Sequence, residues 1–139
     1  MTDTKDMIGT GPGGVPLGTE AVAAAIDACL RCVQSCTSCA AADLVEDDVA
    51  EMRACIARCL NCADICNAVA RLLSRPTASE PAVIHPLLQA CVRACASSAE
   101  ECARHAQHHV HCALCEQACR ACVEACTALL GAEAFAALR

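Results

Sequence analysis

The sequence predicts an all-α protein, an antiparallel up-down-up-down four-helix bundle with a Cys-lined core, and three observations carry that prediction. In CALCEQACRACVEAC, residues 112–126, Cys112, Cys115, Cys119, Cys122 and Cys126 recur at alternating steps of three and four. At 3.6 residues per turn those steps put every thiol of the stretch on one helix face, where the a and d positions of a heptad would lie. The same spacing returns as Cys29, Cys32, Cys36 and Cys39, as Cys55, Cys59, Cys62 and Cys66, and as Cys91, Cys95 and Cys102, with Ser98 where the next thiol of that stripe would fall. Finally, 139 residues make one domain, long enough for four helices of roughly 20 to 27 residues with short connections. Short connections make neighbouring helices antiparallel.

Taken in order, residues 1–18 are rich in Gly, Pro and Thr and read as a disordered arm, leaving 19–139 for the bundle and a short C-terminal helical segment. Thr19 is the expected N-cap of a first helix that runs to about Ala42, with Glu20 in its first turn. Glu46, Asp47 and Asp48 then sit where a helix N-terminus favours negative charge, and the second helix continues to about Leu73. SRPTASEP, residues 74–81, is the longest internal connection. Because Pro86 is awkward inside a helix, residues 80–85 are expected as a separate turn, with the third helix starting near Pro86 and ending near Gln107. The fourth helix is expected from about His109 to Leu130, stopped by Gly131 and followed by a segment containing Phe135.

Composition narrows the function. With one Phe, no Trp and no Tyr, the interior must be built from small side chains, so helices can approach closely. A net charge of −6 with ten Lys and Arg leaves no basic stripe for nucleic acid, and no run reaches membrane-spanning length. The N-terminal residues carry no basic region followed by an apolar stretch, so the chain is expected in the cytoplasm with its thiols reduced. No Ser-His-Asp arrangement or glycine-rich phosphate loop suggests an enzyme.

Set antiparallel, the stripes fall into layers: Cys39, Cys55, Cys102 and Cys112; then Cys36, Cys59, Ser98 and Cys115; then Cys32, Cys62, Cys95 and Cys119; then Cys29, Cys66, Cys91 and Cys122, with Cys126 beneath. Continued past their last cysteines, they meet Asp43, Met52, His105 and either His108 or His109 at one end, where His111 also lies in the His cluster of residues 105–111. The other end is aliphatic: Val22, Ile26, Val69, Leu73, Ile84, Leu87 or Leu88, Leu129 and Leu130. The expected metal-binding set is thus the 16 cysteines with His105, His109, His111 and Met52, and His105 is the first choice among the histidines because it prolongs the Cys102 stripe.

Thiolates at i, i+3 and i, i+4 can converge on one ion from a single helix. Zn²⁺ held by four thiolates per ion would leave excess negative charge in a narrow core, whereas one monovalent soft ion per thiolate leaves it neutral. Cu(I) is the ion that is both monovalent and selected by thiolates. A zinc or cadmium thiolate buffer and an iron-sulfur carrier are the metal alternatives; a helical interaction protein without metal is the structural one.

CxxCxxxCxxC in residues 29–39 and 112–122, with CxxxCxxCxxxC in residues 55–66 and 115–126, resembles the bacterial copper storage proteins, cytosolic class, across about residues 19–130. The resemblance implies inward-facing cysteines that bind many Cu(I) ions, a homotetramer of bundles, and uptake through a His-bearing end. A copper chaperone is the expected protein partner.

Overall fold

The computed structural model describes residues 3–78 and 80–138. Among the described residues five α-helices follow one another: α1 (Thr4–Gly9), α2 (Thr19–Asp43), α3 (Arg53–Leu73), α4 (Pro81–His105) and α5 (Val110–Leu130). The four long ones form the bundle, each packed on its neighbours α2–α3, α3–α4, α4–α5 and α5–α2, as an up-down-up-down ring requires. Among the described residues no helix is long and apolar enough to cross a membrane.

The N-terminal segment departs from expectation. Instead of a disordered arm, Thr4–Gly9 is helical and packs on α2. The reason is local chemistry hidden by the surrounding glycines: the Asp3 carboxylate caps the helix by accepting from the Lys5 amide, and Ile8 is buried. Two polar ties hold it, the Thr4 hydroxyl donating to Asp27 and Lys5 paired with Glu20 at 3.0 Å. Further along, Val15 and Leu17 line a small apolar cleft with Val22, Leu73 and Pro76 at the aliphatic end of the bundle.

The N-cap of α2 is Gly18 rather than Thr19, and its φ of +97° is one that a residue with a Cβ rarely adopts. The second long helix begins with a 3₁₀ turn, Val49–Met52, before α3 proper. The third does not wait for Pro86. It starts at Pro81, whose missing N–H falls on a first-turn position that has no intrahelical partner. Pro86 lies inside it on the exposed side, so the one carbonyl it leaves without a helical donor, that of Ala82, is available to water. Gly131 ends α5, and the C-terminal segment is a 3₁₀ helix, Glu133–Leu138, that buries Phe135 completely.

Every cysteine is buried and free. They form one core with aliphatic side chains gathered at the α1 end: Val22, Ile26, Val69, Leu73, Ile84, Leu88 and Leu129. Phe135 closes that end, its ring edge-on to His85 at a centroid separation of 5.1 Å. In a core of small side chains this ring is the largest single contribution. Phe135→Ala is expected to destabilise the reduced protein by about 3–5 kcal/mol, read as a fall in the urea midpoint with unchanged slope.

Candidate metal centre

The sulfurs form a continuous column, and the layers can be read from their separations. At one end Cys39 lies 3.9 Å from Cys112 and Cys55 lies 3.8 Å from Cys102. Next, Cys36 and Cys115 are 3.7 Å apart, and Cys59 is 3.5 Å from the Ser98 hydroxyl. Below them Cys62 meets Cys95 at 3.3 Å and Cys32 at 3.5 Å, with Cys32 3.7 Å from Cys119. Then Cys29 meets Cys122 at 3.6 Å and Cys66 meets Cys91 at 3.7 Å. Cys126 follows, 3.8 Å from Cys29.

These separations suit shared ligation. With metal–sulfur bonds of about 2.3 Å, two thiolates on one trigonal or tetrahedral ion stand roughly 3.8–4.0 Å apart. Sets such as Cys29, Cys66, Cys91 and Cys122, or Cys39, Cys59, Cys102 and Cys115, have all their sulfurs within 4.8 Å of one another. Since most cysteines lie within 4.0 Å of two or more other sulfurs, the arrangement favours bridging thiolates over isolated four-sulfur sites.

The end next to Cys39 and Cys112 is polar. Asp43, fully buried, accepts from the Cys112 thiol at 3.7 Å, and its Oδ2 has no hydrogen-bond partner among the described residues. His111 turns Nδ1 towards Cys39 at 3.4 Å and Cys112 at 3.6 Å. One carboxylate oxygen, one imidazole nitrogen and two sulfurs thus converge, a donor set able to hold a soft or borderline cation at the head of the column. The orphaned Asp43 oxygen is the kind of buried polar atom that an incoming cation satisfies.

Burial, then the Asp43 carboxylate, pushes the Cys112 thiol up to about 12, so it is protonated at neutral pH. Burial likewise raises Asp43 above the ordinary carboxylate value.

The other expected ligands are placed differently. His105, first choice by periodicity, sends Nε2 to Glu101 at 3.0 Å instead of into the column. Glu101 is itself buried and also faces Arg58 at 3.5 Å. Glu101 was missed because it lies beside the thiol stripe, although its place four residues before His105 was a usable signal. His109 is the N-cap of α5, its ring held between Glu46 and Asp48 at 3.1 Å each and tilted by 32° against the His111 ring at a centroid separation of 5.4 Å. Met52 is fully buried. Of the histidines, the structure brings His111 to the thiols; His105 and His109 contact carboxylates.

A helical bundle enclosing a column of reduced thiols, with oxygen and nitrogen donors at one end, defines a soft-metal thiolate protein. The family model described as "Copper storage protein" matches residues 18–131, and the chain belongs to that family. Among solved structures it is similar to the copper storage protein Ccsp from Streptomyces lividans loaded with 10 copper equivalents: TM-score 0.87, 46% identity, covering 93% of this chain and 98% of that one. A second structure, described as copper loading to a cytosolic copper storage protein from Streptomyces lividans (five coppers), matches with TM-score 0.78 and 50% identity over 80% of this chain and 92% of that one. No curated protein matches.

The contact between His109 and Asp48 has a measurable consequence. Hydrogen bonding to Asp48 raises the His109 pKa above 6.5, so its stabilisation is complete below that value and is lost as pH rises through the raised one. The same bond lowers Asp48, whose contribution is present above pH 3.8 and is lost as pH falls through the depressed value. The melting temperature of the reduced, metal-free protein is therefore expected to fall between about pH 6 and pH 8, and to fall less in His109→Gln.

Proposed function

We propose that this protein stores Cu(I) in the cytoplasm by binding many ions along the thiol column, with ions exchanged through the end that carries Asp43 and His111. The observation that carries the reading is the burial of every cysteine, reduced, around one axis at ligand-sharing distances. Sixteen thiolates in a shared core need a counter-ion of matching charge. One monovalent soft ion per sulfur leaves that core neutral; divalent ions at four sulfurs each do not.

His111, Asp43, Cys39 and Cys112 receive an incoming ion in this scheme. Movement inward is ligand exchange, in which the ion passes from one thiolate to the next and a proton leaves each thiol it engages. His109 and His105 orient the polar end through Asp48, Glu46 and Glu101, and Met52 adds a soft donor next to Cys55. No step of this scheme makes or breaks a substrate bond, which fits a store rather than an enzyme.

Leu30, Leu60 and Leu114 stand exposed on the outside of the bundle, which suits a homo-oligomer, and the tetramer is the form proposed. A copper chaperone docking at the acidic end would deliver or collect the ion; no nucleic acid or membrane takes part.

Anaerobic titration with Cu(I) against a competing chelator tests this reading. The expected outcome is about one ion per thiol, with about one proton released per ion near pH 7 in a lightly buffered cell, because the thiols begin neutral. Saturation near one ion per two to four thiols with preference for Zn²⁺ would overturn it.

A further inference from the structure

The head of the column differs from the rest of it in donor type, and its dimensions are specific. The Cys39 and Cys112 sulfurs stand 3.9 Å apart, and His111 Nδ1 lies 3.4 and 3.6 Å from them. Asp43 Oδ1 lies 3.7 Å from the Cys112 sulfur and 3.5 Å from that nitrogen. A tetrahedral Zn²⁺, with bonds of about 2.3 Å to sulfur and about 2.1 Å to nitrogen and oxygen, holds two sulfurs roughly 3.8 Å apart. Sulfur then stands about 3.6 Å from nitrogen or oxygen, and nitrogen about 3.4 Å from oxygen. The separations at the head match that tetrahedron to within about 0.2 Å, and the remaining edge, from Cys39 to the Asp43 carboxylate, is within 4.8 Å. The far side of the imidazole adds an independent sign. Glu46 Oε1 lies 3.6 Å from His111 Nε2, where a carboxylate favours the proton on Nε2 and leaves Nδ1 free to ligate, as metal-binding histidines require.

We propose that Asp43, His111, Cys39 and Cys112 bind one Zn²⁺ ion when copper is scarce, so that a divalent ion caps the column until Cu(I) displaces it. This rests on the reading of the column as a Cu(I) store entered at this end. Ligand softness separates the head from the sulfurs below. A carboxylate oxygen is a hard donor that Cu(I) does not select, whereas Zn²⁺ accepts carboxylate, imidazole and thiolate together. Charge separates them too. Two thiolates and one carboxylate leave one excess negative charge around Zn²⁺, against two for any four-thiolate set, and the half-buried His111 brings the head near water. Binding releases the Cys39 and Cys112 protons. Displacement moves no electron: Zn²⁺ leaves as the ion, and Cu(I) stays monovalent on the two thiolates.

Anaerobic titration of the reduced, metal-free protein with Zn²⁺ against a chromophoric chelator tests the site, with Co²⁺ as a spectroscopic probe of the same position. Wild type is expected to hold about one Zn²⁺ per chain tightly. The first equivalent of Co²⁺ is expected to give the intense visible bands of a tetrahedral ion together with thiolate charge transfer. Outer carboxylates on a metal-bound histidine are worth about 10–100-fold in affinity, so Glu46→Gln is expected to weaken Zn²⁺ by about tenfold, and Asp43→Asn and His111→Ala by more. Cys66→Ser, in the column, leaves the first Zn²⁺ unchanged. Adding Cu(I) to the zinc-loaded protein is expected to release the ion to the chelator. Absence of tight Zn²⁺ binding, several equivalent Zn²⁺ ions per chain, or unchanged affinity in His111→Ala would overturn the proposal, even if Asp43→Asn failed to fold. Retention of the Zn²⁺ as Cu(I) loads would overturn the displaceable cap. A wild-type protein that takes up no Cu(I) would instead overturn the storage reading, whatever its affinity for Zn²⁺.

Discussion

Sulfur burial is the constraint on which this molecule depends. Thiols pack as small hydrophobes while they carry their protons, and a column of them can fill a bundle without the desolvation cost of a buried charge. Removing those protons without a counter-ion would place many negative charges in one narrow core. The protein therefore has two compatible states, protonated and closed or metal-filled and neutral, and burial of the thiols couples proton release to loading. The rise of Cys112 to about 12 states the same constraint at a single site.

Small side chains make the constraint workable. Alanine and cysteine let the long helices approach until sulfurs on different helices stand 3.3–3.9 Å apart, the range in which one ion can be shared. What the core lacks in bulk is restored at one end, where Val22, Leu73, Ile84, Leu88, Leu129 and Phe135 pack together. The molecule is thus asymmetric along its axis: an aliphatic seal at one end, and Asp43, His111 and the His109 carboxylate cluster at the other. In the reading proposed above ions exchange at the polar end, while the other end is filled by aliphatic side chains and Phe135.

The comparison with Streptomyces lividans Ccsp places these features in a family context without supplying them. The layers and the orphaned Asp43 oxygen are properties of this chain's own residues. So is the serine within the third stripe, where a single oxygen for sulfur exchange changes the softness of one position.

Periodicity made the bundle, its antiparallel order and the layering of the cysteines legible, because a step of three or four on a helix has one geometric meaning. It also located the aliphatic seal. Other features depended on contacts between residues distant in sequence. The α1 helix forms because Ile8 finds a surface on α2, which glycine-rich composition does not reveal, and Pro86 is tolerated because its side of α4 faces solvent. Helical phase pointed to His105, yet a carboxylate one turn away on the same helix engages it, while His111, from the start of α5, reaches Cys39 across the bundle. Sequence by itself determined which face of each helix carries sulfur; tertiary structure decided which polar groups meet that sulfur, since hydrogen-bond partners are chosen by proximity in space and not by spacing along a chain.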